Sequence, residues 1–394
     1  MIRIAITLVI LVTGYIGVMQ SLSEITKKAD PLRAHLLMAG DGRITAYAAE
    51  KSFQDRPSGD SNAPSAKLAR LAVRQDATAV LAFVVLASQA EMRGDIKAAR
   101  RLFDYAEALS RRNLPTQLWA IEDAVSRGKI PEALRHYDIA LRTSRDASKI
   151  LYPVLASALS EPAIRSSLTA TLAKKPNWGS SFIAYSLGSN ADPRHIANLF
   201  YGMRAAGVTV TPEASSSLVN RLLLIGAPND AWRYYASLRK GIVPDRSRDP
   251  SFSTNVISSS QFDWVPTDRN GVSVSIQRGD HNGVVDYSVP TGNGGILLQQ
   301  LQMLPPGRYR LTGSGSGVDQ PETTMPYWAL TCQGGQEIGR VALVRSKQDI
   351  STFSGQFDIP TNCPVQLLTF VARLSDNFGG TEGRINHVEL TPIQ

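Results

Sequence analysis

At 394 residues, with 43% hydrophobic and 19% charged side chains, the chain is too apolar to be disordered and long enough for two or three domains. Two Cys without a C-x-x-C pair and five scattered His leave little for a zinc cluster; G-x-S-x-G, Walker and H-E-x-x-H motifs are also absent. The net charge of +8 is unevenly spread: residues 1–250 hold 33 Lys and Arg against 22 Asp and Glu, and residues 251–394 hold 9 against 12, so two regions of different character follow one another.

The first element is the uncharged stretch 4–19, extendable to about 20 residues, close to what a membrane-spanning helix needs. No A-x-A-like site marks a cut at 17–21, so residues 1–22 are expected to be a signal anchor, with a cleaved signal peptide as the alternative and a buried helix of a cytosolic protein as a third reading. Lys27 and Lys28 oppose Arg3, which leaves the positive-inside rule without a clear direction. The expected location is the inner membrane, facing the periplasm, or secreted or periplasmic after cleavage.

Residues 30–240 read as helices. A leading pair is expected over 30–53, followed by a polar loop at 54–64. From 65 onward Ala and Leu recur at helical spacing, and a repeat is visible. Gly94, Ala99, Phe103 and Ala106 return 34 residues later as Gly128, Ala133, Tyr137 and Ala140. In each unit a Gly ends one helix and a small Ala lets the next approach it. The aromatic and the second Ala fall on the same face. Such helix pairs cannot bury their faces alone and must stack on neighbours. Gly226, Ala231 and Tyr235 give a looser third match. Between them, residues 151–201 read as helices broken by Pro153, Pro162, Pro176 and Pro193.

This spacing resembles the tetratricopeptide repeat. Phe83, Leu86 and Ala87 occupy the family's first-helix positions. The second unit departs there, with Gln117, Ala120 and Ile121, although Trp119 offers bulk nearby. The resemblance implies a solenoid that binds a protein partner. The basic residues Arg93, Arg100, Arg101, Arg111, Arg112, Arg135, Arg142 and Arg145 form either a solvated outer face or a surface for an anionic partner. Aromatic and basic side chains are not interleaved as on a stacking platform, so no nucleic-acid partner is expected.

After Lys240 the texture changes. Residues 241–255, rich in Pro, Ser and charge, read as a linker, and 256–394 as a β domain. Strands are expected at 272–277, 284–289, 296–301, 308–312, 327–331, 338–344, 353–359, 365–372 and 384–390, with a short leading one at 262–264. That pattern argues for a sandwich or barrel. The Gly/Ser run at 313–317 reads as a flexible turn. Cys332 and Cys363 would close a loop of about 30 residues as a disulfide, the alternative being two buried thiols.

Four pieces carry a second resemblance: Phe-Asp-Trp at 262–264, Leu-Pro-Pro-Gly-Arg-Tyr-Arg-Leu at 304–311, the Cys363 strand start at 360–368, and Gly-Arg-Ile-Asn-His-Val-Glu-Leu at 383–390. Together they resemble the jelly-roll sandwiches of carbohydrate-binding modules. The resemblance implies a glycan ligand stacked on an aromatic, for which Trp264, Trp328 and the loop residue Phe378 are the candidates, with Tyr287 and Tyr327 behind them. Core packing is the competing reading for each. Asp263, Asp286, Asp319 and Asp376 read as solvated turn carboxylates or a structural calcium site. No cofactor, catalytic residue or catalytic metal is expected.

The expected architecture is multidomain, α then β: an N-terminal membrane helix, a tetratricopeptide-like helical-repeat solenoid and a C-terminal antiparallel jelly-roll sandwich. The expected function is a non-enzymatic envelope scaffold, binding a protein through its repeats and a polysaccharide through its sandwich, as in accessory proteins of polysaccharide assembly or export. The alternative is a glycan-active enzyme with an unrecognised carboxylate site, for which Glu122 with Asp123 or Asp263 with Asp268 are the nearest pairs.

Overall fold

A computed structural model describes residues 2–267, 271–279, 282–347, 349–376 and 379–393. Among them, fourteen α-helices precede two antiparallel sheets of five strands each, the architecture expected from the sequence. The chain forms two compact units, Met1–Ser189 and Asn190–Gln394.

The first unit begins with α1, Ile2–Thr26, a helix that runs past the expected end at residue 22. Its stretch Ile6–Thr26 is long and apolar enough to cross a membrane. The expected leading pair is α2, Pro31–Leu37, and α3, Gly42–Asp55; each is capped by an Asp, Asp30 or Asp41, accepting from backbone N–H groups of the first turn. Then follow α4, Pro64–Gln75; α5, Val80–Met92; α6, Ile96–Leu109; α7, Leu114–Ser126; and α8, Ile130–Thr143. The 34-residue phase is present as geometry. Gly94 and Gly128 take φ of +80° and +68°, a left-handed conformation costly to any residue with a Cβ. In both turns the next residue's N–H reaches back five residues, Asp95 to Ala90 and Lys129 to Ala124, closing the helix end. Ala99, Phe103, Ala106, Ala133, Tyr137 and Ala140 are all buried. Trp119 joins neighbouring hairpins: its ring stacks on Phe103 at 4.5 Å and its indole N–H donates to Glu91.

The unit ends with α9, Ala147–Ser157; α10, Pro162–Leu172; and α11, Gly179–Gly188. Pro162 does not interrupt a helix but opens one, where its missing N–H costs nothing. Pro153, expected as a breaker, lies inside α9.

The second unit contains α12, Pro193–Ala205; α13, Pro212–Leu224; and α14, Pro228–Ser237. Its strands are β1, Val265–Pro266; β2, Ser273–Gln277; β3, Val284–Val289; β4, Gly295–Gln302; β5, Gly307–Ser316; β6, Tyr327–Cys332; β7, Glu337–Ala342; β8, Ser351–Ile359; β9, Gln366–Ala372; and β10, Thr381–Pro392. One sheet has the order β1-β4-β9-β6-β7 and the other β2-β3-β10-β5-β8. Trp264, Tyr287, Trp328, Phe353, Phe357 and Phe370 fill the core between them. Cys332 and Cys363 form a disulfide, pinning the end of β6 to the turn before β9.

Two expectations are corrected here. The Gly/Ser run at 313–317 is not a turn, because β5 continues through Ser316. Gly313 points inward, where a Cβ would come within 2.2 Å of the Phe353 ring; the glycine lets that ring lie against the strand. Residues 241–255 are not a free linker but are woven into the sandwich. Ser247 exchanges hydrogen bonds with Leu390, Pro250 accepts from the Val388 N–H, and Phe252 is fully buried. Arg248 is buried too, donating to the carbonyls of Phe262 and Leu301 and to the side chain of Gln302. Its guanidinium also faces the rings of Trp232 and Phe262, so aromatic faces and carbonyls replace the water it has lost. Desolvation pulls its pKa down to about 10. Asp263 accepts from Tyr235, Arg239 and Ser260, fastening α14 to the start of the sandwich. Ser216 and Asn220 of α13 bond to Ser258 and Gln261 in the same way. This fastening explains why the compact units divide after Ser189 rather than near residue 240.

Candidate functional site

The outer face of the sheet β2-β3-β10-β5-β8 carries a polar groove. Alternation along β3 buries Val285, Tyr287 and Val289 and turns Asp286 and Ser288 outward. Register then assembles cross-strand rungs. Ser273, Ser288 and Glu382 form one; Ser275, Asp286, Arg384 and Ser316 form the next. With Gly317 and Lys347 they line a groove of about 530 Å³. Arg384 Nε donates to Asp286 Oδ1 at 2.8 Å, fixing one charged pair across the groove. Four serine hydroxyls, two carboxylates and two cations thus face one space. Hydroxyls and carboxylates both accept, and serines, Lys and Arg donate, so the surface matches a ligand rich in hydroxyl groups.

Trp264 and Trp328 do not form the expected aromatic platform. Trp264 is 3% exposed and Trp328 is fully buried; their rings meet edge to face at 5.7 Å, and Trp264 donates to the Asp249 carbonyl. Both are core residues and present no ring to a ligand. Tyr287 packs edge-on to Phe370, and burial pushes its hydroxyl pKa up. The Tyr327 ring is covered by the guanidiniums of Arg340 and Arg373, each 4.7 Å from its centre. Phe378 lies outside the described residues, as does Asp268.

The four carboxylates considered for calcium do not converge. Asp263 is held by Arg239, Asp286 by Arg384 and Asp319 by Arg345, and the described residues contain no cluster of three or more metal-ligating side chains. In the helical unit, Asp123 is clamped by Arg100 and Arg127. Burial raises its pKa, but the two guanidiniums outweigh that and hold the carboxyl below its usual range. Glu122 points to solvent instead. Several of the arginines read as a basic surface are likewise engaged: Arg93 with the Gly59 carbonyl, Arg135 with Glu107 and Arg142 with Asp138.

No family model and no curated protein matches the chain. Among solved structures, a carbohydrate-binding module described as CBM4 is similar at 12% identity, over 37% of this chain and 96% of its own, with a TM-score of 0.27. The module CBM6cm-2 from Cellvibrio mixtus lichenase 5A, in complex with cellotriose, is similar at 10% identity, over 34% and 98%, with a TM-score of 0.22. The enzymatically active domain of bacteriophage CBA120 tailspike protein 4 is similar at 14% identity over 33% of this chain, with a TM-score of 0.25; the chain spans 19% of that domain. Likeness of this extent carries no inference about ligand or activity.

The serines of the groove come from three strands, β2, β3 and β5, and the charged Glu382 and Arg384 from β10. The signal that would have found them is alternation combined with register: polar residues at every second position of β2 and β3, brought opposite one another by pairing.

Proposed function

We propose that the chain is a non-enzymatic scaffold of the cell envelope, held at a membrane by α1, with a glycan bound in the groove of the sandwich. The observation that carries this reading is the pair of polar rungs, which present serine hydroxyls and charged groups in one open groove. The helical hairpins, with their left-handed glycines and alanine contacts, support the tetratricopeptide resemblance and a protein partner on that region. The apolar α1 and the Cys332–Cys363 disulfide support an inner-membrane anchor facing the periplasm, or release there after cleavage. Polysaccharide assembly or export is the setting in which such a combination would serve.

The test is binding of the full chain to a polysaccharide array, with release of reducing ends followed in parallel. Binding without release is the expected result. Arg384→Ala and Ser288→Ala should each weaken it several-fold with the melting temperature nearly unchanged, since both side chains face outward. Absence of glycan binding would remove the groove reading. Release of reducing ends would replace the scaffold with the glycan-active enzyme.

A further inference from the structure

A smaller pocket lies in the first unit at the end of α1. The stretch Ile6–Thr26 spans 21 residues, about 31 Å at 1.5 Å per residue, and so matches a hydrocarbon core of about 30 Å. Its side chains are open to the surroundings; Ile10 and Tyr15 are each 64% exposed. Lys27 and Lys28 follow at once, where a chain leaving the hydrocarbon meets headgroups. The short α2 then exposes Leu32 and Leu36, four residues apart and so on one face, Leu36 at 82%. A soluble surface gains nothing from that pair, whereas a helix lying against the same bilayer does.

Beside this foot, Lys28, Ala29, Pro31, Tyr47, Glu50, Lys51 and Gln54 line a pocket of about 390 Å³. Its charges are of both signs. Lys28 contributes one ammonium and Lys51 a second, the latter shared with Asp55 at 2.6 Å. Glu50 is half-buried and makes no side-chain hydrogen bond or ion pair among the described residues; burial pushes its carboxyl pKa up. Lys27 pairs with Glu24 and lies 5.8 Å over the ring of Tyr47, one of the lining residues. A bare phosphate would meet the Glu50 carboxylate unfavourably, and a quaternary ammonium has no N–H to give it. A group with a primary ammonium at one end and a phosphate at the other satisfies Glu50 and the two lysines together.

We propose that this pocket holds the headgroup of an ethanolamine phospholipid, its ammonium donating to Glu50 and its phosphate accepting from Lys28 and Lys51; the proposal rests on the membrane reading of α1. The test uses the full chain in phosphatidylcholine nanodiscs containing equal minor amounts of phosphatidylethanolamine and phosphatidylglycerol, with retained lipids counted by native mass spectrometry. Ethanolamine lipid should be enriched over glycerol lipid by about tenfold or more. Glu50→Gln should abolish that preference, and Lys28→Ala should reduce retention of both lipids. Excess soluble phosphoethanolamine should displace the retained ethanolamine lipid. Equal retention of both lipids by the unaltered chain, a preference untouched by Glu50→Gln, or no displacement would each overturn the proposal. Vesicle flotation separates the two premises. A chain that fails to float with vesicles refutes the membrane reading, while one that floats without the preference refutes the pocket alone.

Discussion

From α3 to α8 most of the fully buried positions are Ala, Ala46, Ala49, Ala69, Ala72, Ala82, Ala87, Ala99 and Ala106 among them, with Ile44, Phe103, Trp119 and Tyr137 among the bulkier buried side chains. Between the two sheets the buried positions include the large rings of Trp264, Tyr287, Trp328, Phe353, Phe357 and Phe370 among bulky aliphatics such as Leu298, Leu311 and Ile385, and the Cys332–Cys363 disulfide ties β6 to the turn before β9. The two regions reach burial by different means. An alanine contact contributes little apolar area per residue, about one methyl group, and gains by bringing helix backbones close. A core of aromatics and large aliphatics contributes large areas per residue and depends on every piece being in place. The first should therefore suffer most from added bulk, the second from anything removed.

The largest expected effect follows from where the second core begins. A fragment of residues 256–394 lacks Arg248 and Phe252 and leaves Leu301 and Gln302 without their donor; it should show no cooperative thermal transition. A fragment of residues 190–394 should show one. If both melt alike, α12–α14 and the strap at 241–255 are dispensable and the contrast drawn above is misplaced.

Reducing Cys332–Cys363 is the next test. It should lower the stability of the second unit by ~3–4 kcal/mol in denaturant titration and leave the transition of the first nearly untouched. Equal losses in both units would mean that they unfold together.

Ala99→Leu and Ala133→Leu sharpen the other side. Both alanines are buried where two helices of a hairpin meet, and each substitution should cost about 1–3 kcal/mol through overpacking. Unchanged midpoints for both would show that the 34-residue phase carries no packing constraint.

The smallest effect is a pH dependence confined to the helical unit. His136 is buried; its Nδ1–H donates to Gln117 of α7, and its Nε2 accepts from Arg135 beside it on α8. Glu107 of α6 lies 3.7 Å away, and Glu132 and Asp104 add weaker negative charge. Burial first, then Arg135, outweigh these and lower the imidazole pKa. The unfolded chain then binds the proton more readily. Stability should be complete above the ordinary imidazole value near 6.5 and fall as pH drops below it toward the folded value. His136→Gln should flatten that slope in melts between neutral and mildly acidic pH.

How far the sequence foretells these features depends on whether a feature repeats locally. β3 coincides with its predicted bounds because Val-Val-Asp-Tyr-Ser-Val alternates without interruption, and the hairpin turns show themselves through glycines at fixed offsets. Arg248 was illegible. A charged residue between Ser and Asp reads as linker, and only the aromatic rings and carbonyls arriving from α14 and β4 make its burial tolerable. The run at 313–317 misled for a related reason. Glycine signals a turn unless a large ring, here Phe353 from β8, occupies the space a side chain would need. Trp264 and Trp328 looked like ligand platforms because an aromatic in a sandwich serves either purpose, and only burial separates the two.

The place of β10 has a consequence for how the chain is made. It follows every other strand in sequence yet lies at the centre of its sheet, paired with β3 and β5. While the ribosome is still delivering residues before 381, that sheet exists only as two separate ribbons, β2-β3 and β5-β8, each with a bare edge. Joining them spans about a hundred residues of chain for β3 and about seventy-five for β5, contacts of high order that close slowly. During that interval the exposed edges are open to pairing with another chain, so loss of β10 alone would leave a sandwich split through its middle rather than one trimmed at its rim.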